Sequence, residues 1–172
     1  MFEKFFPDHY YDSVFEIPYR QLKASNIKFI FFDVDNTLAE FNFRKPQERT
    51  VSLLKRLGKM GFTVCLLTNN GKRSLSRFNK NLNLPAYCQS LKPLAGKARK
   101  AMKALDATPE SSVIIGDQVL TDIWCGKKLN IKTILVKPLS KKDIWTVHLK
   151  RGFEGLILKQ YKKKIELGGD NG

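Results

Sequence analysis

The chain has 172 residues, of which 42% are hydrophobic, and 31 Lys and Arg residues stand against 16 Asp and Glu residues. This composition excludes wholesale disorder, and no apolar run approaches the ~20 residues that a membrane-spanning helix needs. The net charge of +15 favours an anionic partner such as a nucleic acid, a lipid surface or a phosphorylated substrate.

The amino terminus carries acids and a proline but no apolar signal region, so we expect a cytoplasmic protein. Peripheral contact with the membrane stays open, because a basic surface attracts anionic lipids. The three cysteines, Cys65, Cys88 and Cys125, are odd in number and lack C-x-x-C spacing. We expect buried reduced thiols rather than disulfides or a zinc site.

Short apolar strands alternate with amphipathic helices along the chain. Residues 1–26 are aromatic-rich and are expected to pack over the sheet, and residues 38–46 form a loop or flap after the first strand. Predicted strands cover residues 27–33, 62–67, 86–89, 112–116 and 132–136, and predicted helices cover residues 47–60, 72–82, 96–105 and 121–129. This order predicts an α/β fold, a three-layer sandwich around a parallel sheet of about five strands in a single domain.

The carboxyl-terminal tail, residues 138–172, is basic. Between residues 137 and 164, nine Lys or Arg residues face only two acids, Asp143 and Glu154. Apolar residues recur there at four-residue spacing, which predicts an amphipathic helix with a break near two glycines; the apolar positions are Trp145, Leu149, Phe153, Ile157 and Tyr161, and the glycines are Gly152 and Gly155. We expect its apolar face to pack on the sheet; the alternative is docking to an anionic membrane surface or a nucleic acid.

Polar and charged residues follow the apolar strands where each strand ends. The first strand ends in Asp33 and Asp35, with Thr37 beyond them. The others contribute Thr68 and Asn69, then Lys92 ahead of a helix, then Asp117 and Asp122. Ligand sites of parallel α/β sheets lie at the carboxyl ends of the strands, so these side chains are expected to converge there.

Four carboxylates with one hydroxyl and one ammonium suit phosphoryl transfer. Clustered acids repel one another, so a divalent cation is needed to keep them ionised, and oxygen ligands favour Mg²⁺. A carboxylate can attack phosphorus, and a second carboxyl can protonate the leaving oxygen and later activate water. Thr68, Asn69 and Lys92 would hold the phosphoryl oxygens.

In its motifs the chain resembles the haloacid dehalogenase (HAD) superfamily of phosphatases. It carries the four motifs in order, across roughly residues 27–137: Asp33-Val34-Asp35-Asn36-Thr37, Thr68, Lys92-Pro93, and Gly116-Asp117-Gln118 with Asp122. The resemblance implies that Asp33 is the nucleophile and Asp35 the general acid/base. It also implies that Asp33, the backbone carbonyl of Asp35, and Asp117 hold Mg²⁺ with support from Asp122. Lys97 is a rival to Lys92 for the phosphate-binding lysine.

The spacing of these motifs leaves no room for a cap domain, because 30 residues lie between Thr37 and Thr68 and 23 between Thr68 and Lys92. The chain is similar to capless subclass IIIA phosphatases related to mitochondrial phosphatidylglycerophosphate phosphatase. That resemblance implies a phosphomonoesterase acting on a phosphorylated lipid or another large substrate. The alternative is a binding module of the same fold that docks on RNA, the ribosome or another anionic partner with little turnover.

Overall fold

The computed structural model describes residues 3–40, 45–140 and 146–168, and within the last range it describes the side chains of residues 152 and 155–165. Six parallel strands form one sheet in the order β1-β6-β5-β2-β3-β4. The strands are β1 His9–Tyr11, β2 Phe29–Phe32, β3 Thr63–Leu67, β4 Ala86–Tyr87, β5 Ser112–Gly116 and β6 Lys132–Val136. The helices are α1 Tyr19–Ala24, α2 Glu48–Lys59, α3 Lys72–Asn79, α4 Gly96–Ala104, α5 Trp124–Lys128 and α6 Thr146–Gly168.

The parallel α/β fold is confirmed, and the sheet has six strands where about five were predicted. The sixth strand, β1, comes from the amino-terminal segment that was expected only to pack over the sheet. It pairs with β6 in parallel, from His9 opposite Ile134 to Tyr11 opposite Val136. A strand of three residues is too short to show the alternation of polar and apolar residues from which strands are recognised.

Helices cover both faces of the sheet. Successive residues of its central strand point to opposite faces, so each face contributes its own apolar cluster. Ile30 and Phe32 pack in one apolar cluster with residues of α1, α2 and α3. Phe31 packs in a second cluster with residues of α4 and α5. The cysteines are free thiols, with Cys65 and Cys125 buried and Cys88 half-buried.

The predicted helix over residues 121–129 differs from the structure in type and in start. A π-helical segment, Val119–Ile123, comes first and α5 follows it. Insertions of this kind occur frequently at functional sites, and this one contains Asp122. The predicted helix over residues 72–82 ends three residues early, at Asn79.

The carboxyl-terminal helix α6 is continuous, so the predicted break near Gly152 and Gly155 is wrong. Ile157 is fully buried in a cluster with Phe5, Val119, Ile123 and Leu135, and this packing favours the helix over the penalty of its glycines. The side chains of Trp145, Leu149 and Phe153, like Phe41 and Phe43 of the flap, lie outside the described residues.

Within the described residues, no helix combines the length and the apolar character that crossing a membrane requires. The described parts of the connections after β2 and β3 contain helices α2 and α3 and no additional domain. No cap is therefore evident over the carboxyl ends of these strands.

Candidate active site

The predicted site residues meet at the carboxyl edge of the sheet. β2 lies between β5 and β3, and all three strands are parallel. Asp33 follows β2 directly, Thr68 follows β3, and Asp117 follows β5. The strand order therefore brings three segments that are far apart in sequence to one place.

A single buried lysine joins two carboxylates. Lys92 Nζ lies 2.5 Å from Asp33 Oδ1 and 2.6 Å from Asp122 Oδ1, and it also donates to the backbone carbonyl of Leu67 at 2.9 Å. The side chains of Lys92 and Asp122 are each 1% exposed and that of Asp33 is 8% exposed. All three donor positions of the ammonium are thereby used inside the protein.

The loop that carries Lys92 is held by the Asn69 side chain. Asn69 Oδ1 accepts hydrogen bonds from the Lys92 backbone N–H and from Ser90 Oγ, both at 2.9 Å. Asn69 Nδ2 donates to the Lys92 carbonyl at 3.3 Å. These contacts position Lys92 and use the amide that was predicted to bind phosphate directly. The rival lysine, Lys97, donates to the Cys88 carbonyl at 2.7 Å and has no contact with Asp33 among the described residues.

The second acid, Asp35, is held by two donors from the segment after β3. Thr68 Oγ1 donates to Asp35 Oδ2 and Asn70 Nδ2 donates to Asp35 Oδ1, both at 2.7 Å. The Asn70 backbone N–H donates to Thr68 Oγ1 at 2.9 Å and so orients the hydroxyl. Sequence reasoning missed Asn70, because an asparagine before a glycine is typical of an ordinary turn.

The third acid, Asp117, lies beside Thr37. Thr37 Oγ1 donates to Asp117 Oδ1 at 3.3 Å, and Thr37 is buried while Asp117 is partly accessible. Asn36, with φ of 60°, turns the chain between Asp35 and Thr37, and asparagine tolerates this left-handed conformation better than most residues. The turn thereby links the loop after β2 to the loop after β5.

Gly116 gives Asp122 its place. A Cβ atom at Gly116 would lie 2.3 Å from Asp122 Cγ, a distance that no side chain tolerates. Asp122 Oδ2 also accepts the Gln118 backbone N–H at 3.2 Å. The glycine of the G-D-Q motif is therefore needed for the close approach of the Asp122 carboxylate to the strand end.

Burial and mutual repulsion perturb the acids. Burial raises the pKa of Asp33 to about 7; the Lys92 charge opposes this rise, while the charges of Asp122 and Asp35 add to it. Burial and the charges of Asp33 and Asp122 likewise raise the pKa of Asp117 well above its ordinary value. Burial alone would lower the pKa of Lys92, but Asp122 and Asp33 raise it on balance, so the ammonium stays charged.

The cluster fits a divalent metal ion. One carboxylate oxygen from each of Asp33, Asp117 and Asp122 lies within 4.8 Å of the others. Three acids with one shared cation leave unbalanced negative charge, which a bound divalent cation would neutralise. A ligand set made only of oxygens is typical of hard cations.

Comparison with known proteins gives the family. A family model described as HAD-hydrolase-like matches residues 91–140. The probable phosphatase YqeG of Bacillus subtilis (strain 168) is 32% identical over 165 residues, which cover 95% of this chain and 96% of the relative. A phosphatidylglycerophosphate phosphatase 1 of Arabidopsis thaliana, chloroplastic/mitochondrial, is 23% identical over 158 residues, or 86% of this chain but 45% of that protein.

Solved structures share the fold. The cobalt-bound deoxy-D-mannose-octulosonate 8-phosphate phosphatase of Haemophilus influenzae has a TM-score of 0.53 at 20% identity, covering 82% of this chain and 92% of that one. An uncharacterized protein from Listeria monocytogenes serotype 4b has a TM-score of 0.56 at 15% identity, covering 69% of this chain and 85% of that one. At these identities the likeness concerns the fold alone. Because a probable phosphatase matches nearly the whole sequence at 32% identity, the chain belongs to the HAD-like phosphatase family.

Proposed function

We propose that this HAD-type phosphatase hydrolyses phosphomonoesters with Mg²⁺ through a covalent intermediate on Asp33. The observation that carries the proposal is the setting of Asp33 at the tip of β2, buried and 2.5 Å from the Lys92 ammonium. A carboxylate in a phosphatase site that faces a fixed cation is suited to attack an anionic phosphoryl group, because the cation offsets the repulsion between the two.

In the first step an Asp33 oxygen forms a bond to phosphorus and the bond from phosphorus to the ester oxygen breaks. Asp35 donates a proton to the departing oxygen. In the second step Asp35 takes a proton from water, the water oxygen attacks phosphorus, and the aspartyl bond breaks to release phosphate. The hydrogen bond from Asn70 to Asp35 holds this carboxyl in place for both transfers, and the Thr68 hydroxyl supports it before phosphate binds.

Asp33 and Asp117 would hold the metal ion together with the backbone carbonyl of Asp35, and Asp122 would support the site from behind. The ion supplies positive charge that neutralises the phosphoryl oxygens as they approach the acids. Thr68 and Lys92 would bind these phosphoryl oxygens by exchanging for them one of the hydrogen bonds that each now donates within the protein. Asn69 contributes by fixing the Lys92 loop. Thr37 orients Asp117 through its hydroxyl.

For the substrate we propose a phosphorylated lipid, such as phosphatidylglycerophosphate, or another large phosphoester. Leu91 and Leu94 support this, because they flank Lys92 and are each 62% exposed. The Leu94 N–H donates to the Leu91 carbonyl at 2.8 Å, so one turn sends Lys92 inward and displays both leucines beside the site. An apolar rim of this kind suits a substrate whose uncharged part stays outside the site.

The hypothesis that the protein is a pure binding module is less favoured. The net charge of +15 motivates it, since basic proteins bind nucleic acids. A scaffold, however, gains nothing from a cluster of three acids, two of them buried, that repel one another.

The test is hydrolysis of p-nitrophenyl phosphate with and without Mg²⁺ by wild type, Asp33→Asn and the control Asp106→Asn, which removes an exposed carboxylate. We expect Mg²⁺-dependent release that falls by at least about a thousandfold in Asp33→Asn, because loss of a nucleophile can cost up to about a millionfold in kcat, and that stays unchanged in the control. Beryllium fluoride, an analogue of the transferred phosphoryl group, should bind wild type with Mg²⁺ and should not bind Asp33→Asn. Equal turnover by both variants would overturn the covalent role.

The lipid proposal has its own test, which compares Leu91→Ser/Leu94→Ser with Leu156→Ser, a change of a leucine that is 58% exposed on α6. If the rim meets the apolar part of the substrate, the double variant loses activity toward long-chain phosphate esters and keeps activity toward p-nitrophenyl phosphate. Equal activity of the double variant and wild type on long-chain esters would count against it.

A further inference from the structure

A cationic cavity lies between α2 and α3, away from the aspartate cluster. Its volume is about 370 Å³. Four basic residues line it. Lys45 precedes α2 and Lys55 lies on α2, while Arg77 lies on the last turn of α3 and Lys80 directly follows that helix. Arg77 lies five positions after Lys72, the first residue of α3.

None of these four cations is neutralised within the described part of the chain. No ion pair or side-chain hydrogen bond joins any of their charged groups to another described residue, and no carboxylate belongs to the described lining. A larger cavity of about 790 Å³ beside β1 differs, because its lysines are paired: Lys127 with Asp8 at 2.6 Å and Lys164 with Glu3 at 2.5 Å. Like charges around one cavity lie within a Debye length and repel, and a bound anion would relieve that repulsion.

Helix dipoles explain only half of this arrangement. Arg77 and Lys80 lie at the carboxyl end of α3, where a cation is favourable in any protein. Lys45 precedes the amino end of α2, where a cation is unfavourable, and Lys55 lies in its interior. The helix dipoles therefore do not account for the charges of Lys45 and Lys55.

We propose that this cavity binds a phosphate-bearing polyanion at a site separate from the aspartate cluster. Arginine pairs with phosphate through two parallel hydrogen bonds, and lysines add point charges around it. Phe78, which is buried, and Val51 give the cavity an apolar wall for an uncharged part of the ligand. The volume falls in the range of small-molecule sites, which exceeds the need of a single phosphate group.

The experiment measures binding of inorganic tripolyphosphate by calorimetry without added divalent metal. It compares wild type, Lys55→Glu/Arg77→Glu and the control Lys100→Glu/Lys103→Glu, which makes the same charge change on exposed residues of α4. We expect the cavity variant to bind about tenfold more weakly or worse and the control to change less than about twofold, because local charge outweighs distant charge. Equal weakening in both variants, or no binding by wild type in this and the vesicle assay, would overturn the proposal.

A second arm separates a soluble ligand from a lipid headgroup. Flotation with phosphatidylglycerol vesicles uses the same three proteins, and loss of flotation in the cavity variant alone identifies the headgroup as the source of phosphate. Tripolyphosphate binding with flotation that is equal in all three proteins identifies a soluble ligand. Hydrolysis of p-nitrophenyl phosphate by the cavity variant should equal that of wild type, since none of its residues contacts the aspartate cluster, and this shows that the variant is folded.

Discussion

Asp8 lies at the amino edge of the sheet, where the strands begin, and Asp33 lies at its carboxyl edge, where they end. The two carboxylates have opposite electrostatic surroundings. Asp8 Oδ2 accepts hydrogen bonds from the Thr133 N–H and hydroxyl, both at 2.7 Å, and Asp8 Oδ1 lies 2.6 Å from Lys127 Nζ. Burial raises the pKa of Asp8, but the hydrogen bonds from Lys127 and Thr133 lower it by more. The pKa of Asp8 therefore lies below its ordinary value. Asp33 shares one lysine with Asp122, and its pKa is raised.

The difference separates a carboxylate that stabilises the fold from one that we propose takes part in catalysis. Asp8 fixes β1 to β6, and the native state satisfies its charge. The cluster around Asp33 has more acids than cations, so the native state accepts repulsion there. Perturbed groups of this kind gather at functional sites, where the missing charge is supplied by a ligand or a metal ion. The residue type is the same at both edges, and only the balance of donors differs.

Replacing Lys92 should have the largest effect on this balance. In Lys92→Met, Asp33 and Asp122 lose their shared cation and remain buried, and breaking a buried ion pair costs about 3–5 kcal/mol of unfolding free energy. We expect the loss in urea unfolding at neutral pH with a chelator present, and we expect Mg²⁺ to recover part of it because the ion replaces the missing positive charge.

Lys97→Met is the matched control, because Lys97 donates a single hydrogen bond to the Cys88 carbonyl and contacts no acid among the described residues. It should lose about 1 kcal/mol and show no recovery with Mg²⁺. A loss of the same size in both variants would mean that the lysine is not what holds the acids together.

Gly116→Ala should disturb the same edge by shape rather than charge. The new Cβ would overlap Asp122 Cγ, so Asp122 must move away from Lys92, at a cost of about 1–3 kcal/mol in unfolding free energy and a loss of phosphatase activity. In Gly58→Ala, on α2, the new Cβ meets no atom within 4 Å, and alanine should stabilise that helix by about 0.5–1 kcal/mol. Activity that survives in Gly116→Ala would show that the position of Asp122 is not critical.

The sequence predicts those parts of the fold and the candidate site that follow from local patterns of apolar and polar residues. Apolar strands that end in Asp33, Thr68 and Asp117 predicted the fold and the meeting of the site residues, because the parallel sheet turns a local pattern into a shared edge. The contact of Asn70 with Asp35 and the pairing of β1 with β6 were not predictable, because an asparagine before a glycine is typical of an ordinary turn and three residues are too few to show a strand pattern. The continuity of α6 follows from tertiary packing of Ile157, which outweighs the low helix propensity of glycine.

Asp8→Asn should have a smaller effect than the changes at the carboxyl edge and should leave phosphatase activity unchanged. Loss of the ion pair with Lys127 and weakening of the hydrogen bonds from Thr133 should lower the unfolding free energy by about 1 kcal/mol at neutral pH. The pKa of Asp8 is lower in the folded protein than the unfolded value of about 4, so the stabilisation is complete above pH 4 and disappears as the pH falls through the lower folded pKa. The difference between wild type and variant should therefore shrink as urea unfolding is repeated toward pH 3.

Asp12→Asn provides the comparison for this last change. Asp12 lies 2.6 Å from Lys137, but their side chains are 57% and 52% exposed, so water and salt screen the pair. Its loss should cost less than about 0.5 kcal/mol. If the two variants were equal at every pH, the donors around Asp8 would add nothing to an ordinary surface ion pair. A larger loss in Asp8→Asn that vanishes in acid would instead establish the amino edge as the place where a carboxylate stabilises the sheet.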